Sequence, residues 1–237
     1  MVAGPNKRPL GDPILPIYKG RKGIIIATGP SLIERDVQYI RKAQENDGLV
    51  CFTINNVYQR FPTTDVHLSC DGPWWHHYWP NDPLLREIPC PKFTWYPEIA
   101  NKFKIDYIAG DDTKSGLSTD PRIIHVNHGS GPMAVNLAYH YGIRDLYLIG
   151  HDMKYPLGYK PEKRDPGGDR HYFGEYPRHL QHWPSAKRSV DRSTGALIGL
   201  IAAYESFPIA ELHLNITNLT PETMLDTFPR RDLREAL

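Results

Sequence analysis

Chemistry in this chain is concentrated in short polar or glycine-bearing turns: Thr28-Gly29-Pro30-Ser31, Asn55-Asn56, Asp71-Gly72, Gly129-Ser130-Gly131 and Gly150-His151-Asp152. Asparagine amides donate and accept at once, which suits reading a nucleobase or a ribose. Glycine turns let backbone N–H groups approach phosphate oxygens. One such turn identifies nothing, because glycine ends strands for conformational reasons alone. Their recurrence after apolar runs is the signal, since in a parallel sheet they would converge along one edge.

The elements that must position these turns follow from the apolar pattern. Ile24, Ile25 and Ile26 in succession suit a strand buried on both faces; Gly29 and Pro30 end it, and Ser31 is expected to cap the next helix, aiming a positive helix end at a phosphate. Ile33, Val37, Ile40 and Ala43 recur at helical spacing up to Asn46–Gly48. Strands are predicted at Leu49–Ile54, Asp65–Ser69, Phe93–Trp95, Arg122–Val126 and Asp145–Ile149, with an irregular polar stretch from Tyr96 to Pro121 that covers the sheet's edge or joins an acceptor site. Pro132 opens a helix through Met133, Val135, Leu137, Ala138 and Tyr141, stopped by Gly142. A helix over Val190–Phe207, a last strand at Glu211–Leu214 and a polar helical tail over Thr220–Leu237 complete the pattern. The alternation predicts an α/β chain: a Rossmann-like, doubly wound, mainly parallel sheet that binds ligands at the carboxyl ends of its strands. Prolines at 5, 9, 13 and 16 make residues 1–20 an extended arm. Residues 21–237 read as a single domain with a lid insertion at 154–192, where nine basic and five acidic side chains and the pair Gly167-Gly168 suit a cover over an anionic ligand.

Composition excludes several classes. With 28 basic and 27 acidic residues the formal charge is +1, so no global field draws nucleic acid or membrane. Cys51, Cys70 and Cys90 lack metal-ligand spacing and read as reduced structural thiols. Residues 1–20 carry no apolar signal region, and the expectation is a cytoplasmic protein without a membrane span, in which the sequons at Asn215 and Asn218 are coincidental. No Gly-x-x-x-x-Gly-Lys-Ser/Thr is present, Gly29-Pro30 does not make a dinucleotide fingerprint, and no Asp-x-Asp pair exists to hold a metal against a diphosphate. His171, His179 and His182 lack a fourth ligand at a familiar zinc spacing, so no metal site is expected.

The run Ile-Ile-Ile-Ala-Thr-Gly-Pro-Ser-Leu near the start, Asn55 after the second strand, Gly-Ser-Gly before the Met133 helix, Leu-Tyr-Leu-Ile-Gly-His-Asp, His171-Tyr172 and the ending Leu-Asn-Ile-Thr-Asn-Leu-Thr-Pro-Glu-Thr together resemble the bacterial sialyltransferase family typified by the Campylobacter lipooligosaccharide enzymes. They also resemble phage and bacterial Gly-Pro-Ser-Leu proteins related to an archaeal pterin pyrophosphokinase. The resemblance runs in order over most of the chain. It implies that Gly29, Pro30, Ser31 and Asn55 hold a cytidine monophosphate sugar, with Asp71 near where a second asparagine binds the donor and Ser130 matching the serine of the later turn. It further implies that His171 takes the acceptor hydroxyl's proton and that Tyr159 in the lid meets the donor phosphate. The chain departs from the family at Thr28, where an asparagine is usual, at Lys154, where a phosphate tyrosine is expected, and at Asn127, near an arginine. A lysine there would still neutralise a leaving phosphate.

The expected function is a metal-independent glycosyltransferase moving a sugar from a nucleotide-activated, CMP-sugar-like donor to a hydroxyl acceptor, with no cofactor beyond that co-substrate. Histidine supplies a base near neutrality, and a cationic or hydrogen-bonding lid stabilises the departing phosphate. The partners are then a nucleotide-sugar donor and a glycan acceptor, with a DNA base as the minority case. Three alternatives stay open: a pyrophosphokinase-like transfer using ATP and Mg²⁺, a phage DNA-base-modifying glycosyltransferase, and a non-catalytic nucleotide-binding protein. Trp74-Trp75-His76-His77-Tyr78-Trp79 reads as core or subunit-contact packing, as a sugar-stacking surface or as a base-stacking surface, and exposed aromatics hint at a homo-oligomer.

Overall fold

A computed structural model describes residues 11–127, 129–154, 171, 176–177, 180 and 191–237, with the side chains of 191–196 left undescribed. Most of the segment read as a lid, Tyr159 included, lies outside the described residues, as does the first half of the N-terminal arm.

Seven strands form one parallel sheet, confirming the doubly wound α/β arrangement. Its centre is β1 (Lys22–Ile26), paired with β2 (Val50–Ile54) on one side and β8 (Asp145–Ile149) on the other, so that Ile24 sits between Cys51 and Tyr147. The isoleucine run is explained by the two layers it separates. Ile25 faces a cluster with Phe52, Leu146 and Leu148 beneath α5 (Ser130–His140), while Ile24 and Ile26 face Val37, Ile40 and Ala43 of α1 (Glu34–Asp47). From β1 the chain steps outward through β3 (Val66–Leu68), β4 (Lys92–Thr94) and the edge strand β5 (Asp106–Tyr107). It then returns past β1 to β8 and ends on β9 (Asn215–Asn218). The order reverses between β1 and β8, where the strand ends part and leave a crevice.

Several local expectations are corrected. Ser31 does not cap α1: the cap position is Ile33, 45% exposed rather than part of the buried stripe, and the helix starts at Glu34. The aromatic run is a helix, α2 (Gly72–Asn81), followed by α3 (Pro83–Glu87); Trp74 and Trp75 are 3% and 0% exposed, meet edge to face at 4.9 Å, and donate their indole N–H groups to Asn56 Oδ1 and Ser69 O. Those two rings are core packing and have no face left for a ligand. The stretch read as irregular contains α4 (Pro97–Phe103) and β6 (Ala109–Asp111) besides β5. The strand read at Arg122–Val126, β7 (Ile123–His125), pairs with β6 in a separate two-stranded sheet. Gly129-Ser130-Gly131 therefore reaches the crevice as the start of α5, not as the end of a central strand.

After α6 (Asp191–Glu205), residues 211–213 are turn, Leu214 is irregular and the last strand begins at Asn215. The tail is irregular apart from α7 (Leu233–Ala236). Asn218, one sequon asparagine, is fully buried with its amide on Leu225 O, so the folded chain presents it to no glycan. No helix among the described residues is long and apolar enough to cross a membrane.

Candidate active site

The crevice at the β1/β8 switch point has a volume of about 310 Å³ and is lined by the ends of β1, β2, β3 and β8, the first turn of α5, His171 and one face of α6. Thr28, Gly29, Pro30, Asn55, Asp71, Gly129, Ser130, Gly131, Asp152, Lys154 and His171 all line it. Ser31 sits behind the lining, joined to Asp152, and Tyr159 lies outside the described residues.

The β1 turn is closed on itself. Gly29 N–H donates to Gly150 O, Leu32 N–H to Gly29 O, and Ser31 N–H and Oγ–H to the two oxygens of Asp152 at 3.1 and 2.8 Å. Pro30 has no N–H to offer. A Cβ on Gly29 would lie 1.8 Å from Asp152 Oδ2 and 2.4 Å from Gly150 O, so only glycine lets β1 and β8 approach this closely. The anion held by this turn is thus the chain's own Asp152. Burial raises that carboxyl's pKa above its ordinary value, while the two Ser31 hydrogen bonds and Lys154 pull it back down. The phosphate cradle expected at Thr28–Ser31 is accordingly taken up within the protein.

The other anion-favouring element remains open to the crevice. The 11-residue helix α5 begins at Ser130, and its first amides lie outside the intrahelical ladder at the positive end of the dipole. Ser130 Oγ ties this end down by accepting from Cys70 N–H at 2.9 Å and donating to Asn55 Oδ1 at 3.2 Å. Three separate strand ends and turns are thereby fixed relative to one another. Asn55 adopts φ 49°, a left-handed conformation that asparagine tolerates better than most side chains. Cys70 also lines the crevice, but burial pushes its thiol well up, so it stays protonated and a poor nucleophile.

At the rim, Thr28 Oγ1 and His171 Nδ1 share a hydrogen bond of 3.0 Å across 143 residues of sequence. The His171 ring also meets Tyr176 edge to face at 4.9 Å. Lys154 Nζ reaches Glu222 at 2.9 Å with the two side chains 39% and 79% exposed, a pair that costs little to exchange for a ligand anion. Asn127, matched to a family arginine, turns its amide to Gly116 O and His125 O and does not line the crevice.

Two further lining residues had no role assigned from the sequence. His151, 2% exposed, and Tyr204 of α6, 0% exposed, form the floor with ring centroids 5.8 Å apart. Burial holds the His151 imidazole down at about 4 and pushes the Tyr204 phenol up, so both are neutral near pH 7. His151 was legible as part of the Gly150-His151-Asp152 turn. Nothing in the helical run around Tyr204 distinguishes it from ordinary core.

Comparison with protein-family models finds no match to this chain, and comparison with curated proteins finds none either.

Proposed function

We propose that this crevice transfers a glycosyl group from a nucleotide-activated donor to a hydroxyl acceptor. The observation that carries the reading is the Thr28–His171 hydrogen bond at the mouth of a switch-point crevice. Where Nδ1–H donates to Thr28 Oγ1, Nε2 is the unprotonated ring nitrogen, the tautomer a general base needs. His171 Nε2 then takes the acceptor hydroxyl's proton while that oxygen attacks the anomeric carbon and the bond to the nucleotide phosphate breaks. The phosphate leaves toward Lys154 at the rim, whose ammonium would exchange Glu222 for the developing charge. The resemblance to the sialyltransferase family makes a CMP-activated sugar the first donor to test and a glycan the first acceptor.

The test is release of CMP from a panel of CMP-activated sugars in the presence of hydroxyl acceptors. His171→Ala is expected to slow release by about 10²–10⁴ with little change in donor affinity. Wild-type rates in that variant would remove His171 from the reaction.

A further inference from the structure

We infer that His151 and Tyr204 form a subsite for a single ribose hydroxyl, the feature by which the crevice selects a ribonucleotide over a deoxyribonucleotide. This deepens the nucleotide-donor reading above and rests on it.

The His151 tautomer is set by its neighbours. Nδ1 lies 3.1 Å from Ile149 O, a group that can only accept, so Nδ1 carries the proton and Nε2 presents a lone pair. The residue is held in place by its N–H donating to Thr220 Oγ1 and its carbonyl accepting from Thr223 Oγ1. His151 Nε2 and the Tyr204 hydroxyl are both buried and have no hydrogen-bond partner among the described residues. Orphaned polar atoms of this kind are costly in a fold and call for an occupant.

The two atoms lie close together. A Cβ built on Gly131 would lie 2.3 Å from Tyr204 Oη and 3.2 Å from His151 Nε2, so both converge on the same side of the first turn of α5. Their separation cannot exceed the sum of those distances. One oxygen at about 2.8 Å from each partner spans such a gap. A secondary alcohol there donates its hydrogen to Nε2 and accepts the Tyr204 O–H, so neither atom remains orphaned. A phosphate oxygen can only accept, and would set its lone pair against that of Nε2. The floor therefore favours a neutral hydroxyl, and Leu197 and Leu200 of α6 line the crevice alongside it.

Depth assigns that hydroxyl to the nucleoside. The groups suited to charge and proton transfer, Lys154 with its side chain 39% exposed and the half-buried His171, are at the rim, whereas His151 and Tyr204 are enclosed. A donor with its phosphate at the rim brings its ribose to the floor.

The experiment is calorimetric titration of wild type and Tyr204→Phe with CMP, 2′-deoxy-CMP and 3′-deoxy-CMP, with the melting temperature of each ligand-free protein. Wild type is expected to bind CMP about 10- to 100-fold tighter than one of the deoxy analogues. Tyr204→Phe should abolish that preference while its ligand-free melting temperature stays level or rises, because it removes an orphaned hydroxyl. Equal wild-type binding of CMP and both deoxy forms would overturn the ribose assignment while leaving the nucleotide reading intact. A lower melting temperature in Tyr204→Phe with unchanged ribose preference would mean that the pair holds a structural water. Failure of wild type to bind any of the three would overturn the nucleotide reading, and this inference with it.

Discussion

Thr28 and His171 illustrate how one contact would give two ordinary residues a chemical role in the proposed transfer. The hydroxyl at 3.0 Å orients the imidazole through Nδ1, so Thr28 acts as a positioning residue for His171. Thr28→Val keeps the shape and loses the oxygen; the expected outcome is an about 10- to 100-fold lower turnover with little change in KM for the donor, and recovery in Thr28→Ser. A variant that lowers donor affinity and turnover together, with no rescue by serine, would mean that Thr28 contacts the donor instead. Threonine at this place is a departure from the resembled family's asparagine, and its pairing with His171 gives the departure a physical reason. At the same scale, the Asp152–Ser31 pair shows what sequence spacing could not: a turn with the composition of an anion cradle already holds the chain's own carboxylate.

Among the elements, β3 and α2 carry a consequence for acid stability. His67 on β3 is fully buried beside Tyr58, Trp74 and Trp75, with Nδ1 at 2.9 Å from Thr53 Oγ1, and burial together with Lys92 holds its pKa near 3. His151 at the end of β8 is held at about 4. Both values lie below the 6.5 of an unfolded histidine, so the unfolded chain binds protons that the fold refuses. The stability they contribute is complete above about pH 6.5 and is lost as pH falls toward the folded values, each adding a slope of up to about 1.4 kcal/mol per pH unit. Urea midpoints measured from pH 7 to pH 5 should fall, and a level midpoint would contradict the neutral, buried assignment of both rings. The elements legible in the sequence were those with apolar runs or helical spacing: β1, β2, β3, β4, β7, β8, α1, α5 and α6, although the partner of β7 was not. The aromatic helix α2 was hidden because tryptophan, tyrosine and histidine are weak helix formers and Pro73 and Pro80 suggest breaks, although Pro73 sits in the first turn, where proline is tolerated. The last strand was displaced because Leu212 and Leu214 alternate as a strand would, whereas β9 reads as Asn-Ile-Thr-Asn and yet buries its last three residues. Polar side chains inside a central sheet leave no apolar signal.

For the molecule as a whole, the strand order matters more than any motif. Placing β1 beside β8 gathers turns from residues 28, 55, 71, 130 and 152 with His171 around one opening, a convergence that a parallel α/β reading anticipates only in outline. The approach of α6, which supplies Tyr204, and the detour of β6 and β7 into their own pair depend on long-range packing invisible to local periodicity. With a formal charge of +1 the whole surface offers little electrostatic drive, so recognition rests on the crevice itself. Melting temperature measured with and without nucleotide, in chelator and separately with Mg²⁺, therefore bears most directly on what the crevice holds. CMP or CDP at about 100 times its dissociation constant should stabilise the fold by about 2.7 kcal/mol and raise the melting temperature by roughly 5–10 °C without added metal. Stabilisation by ATP with Mg²⁺ alone, or no response to any nucleotide, would contradict a cytidine-nucleotide donor site.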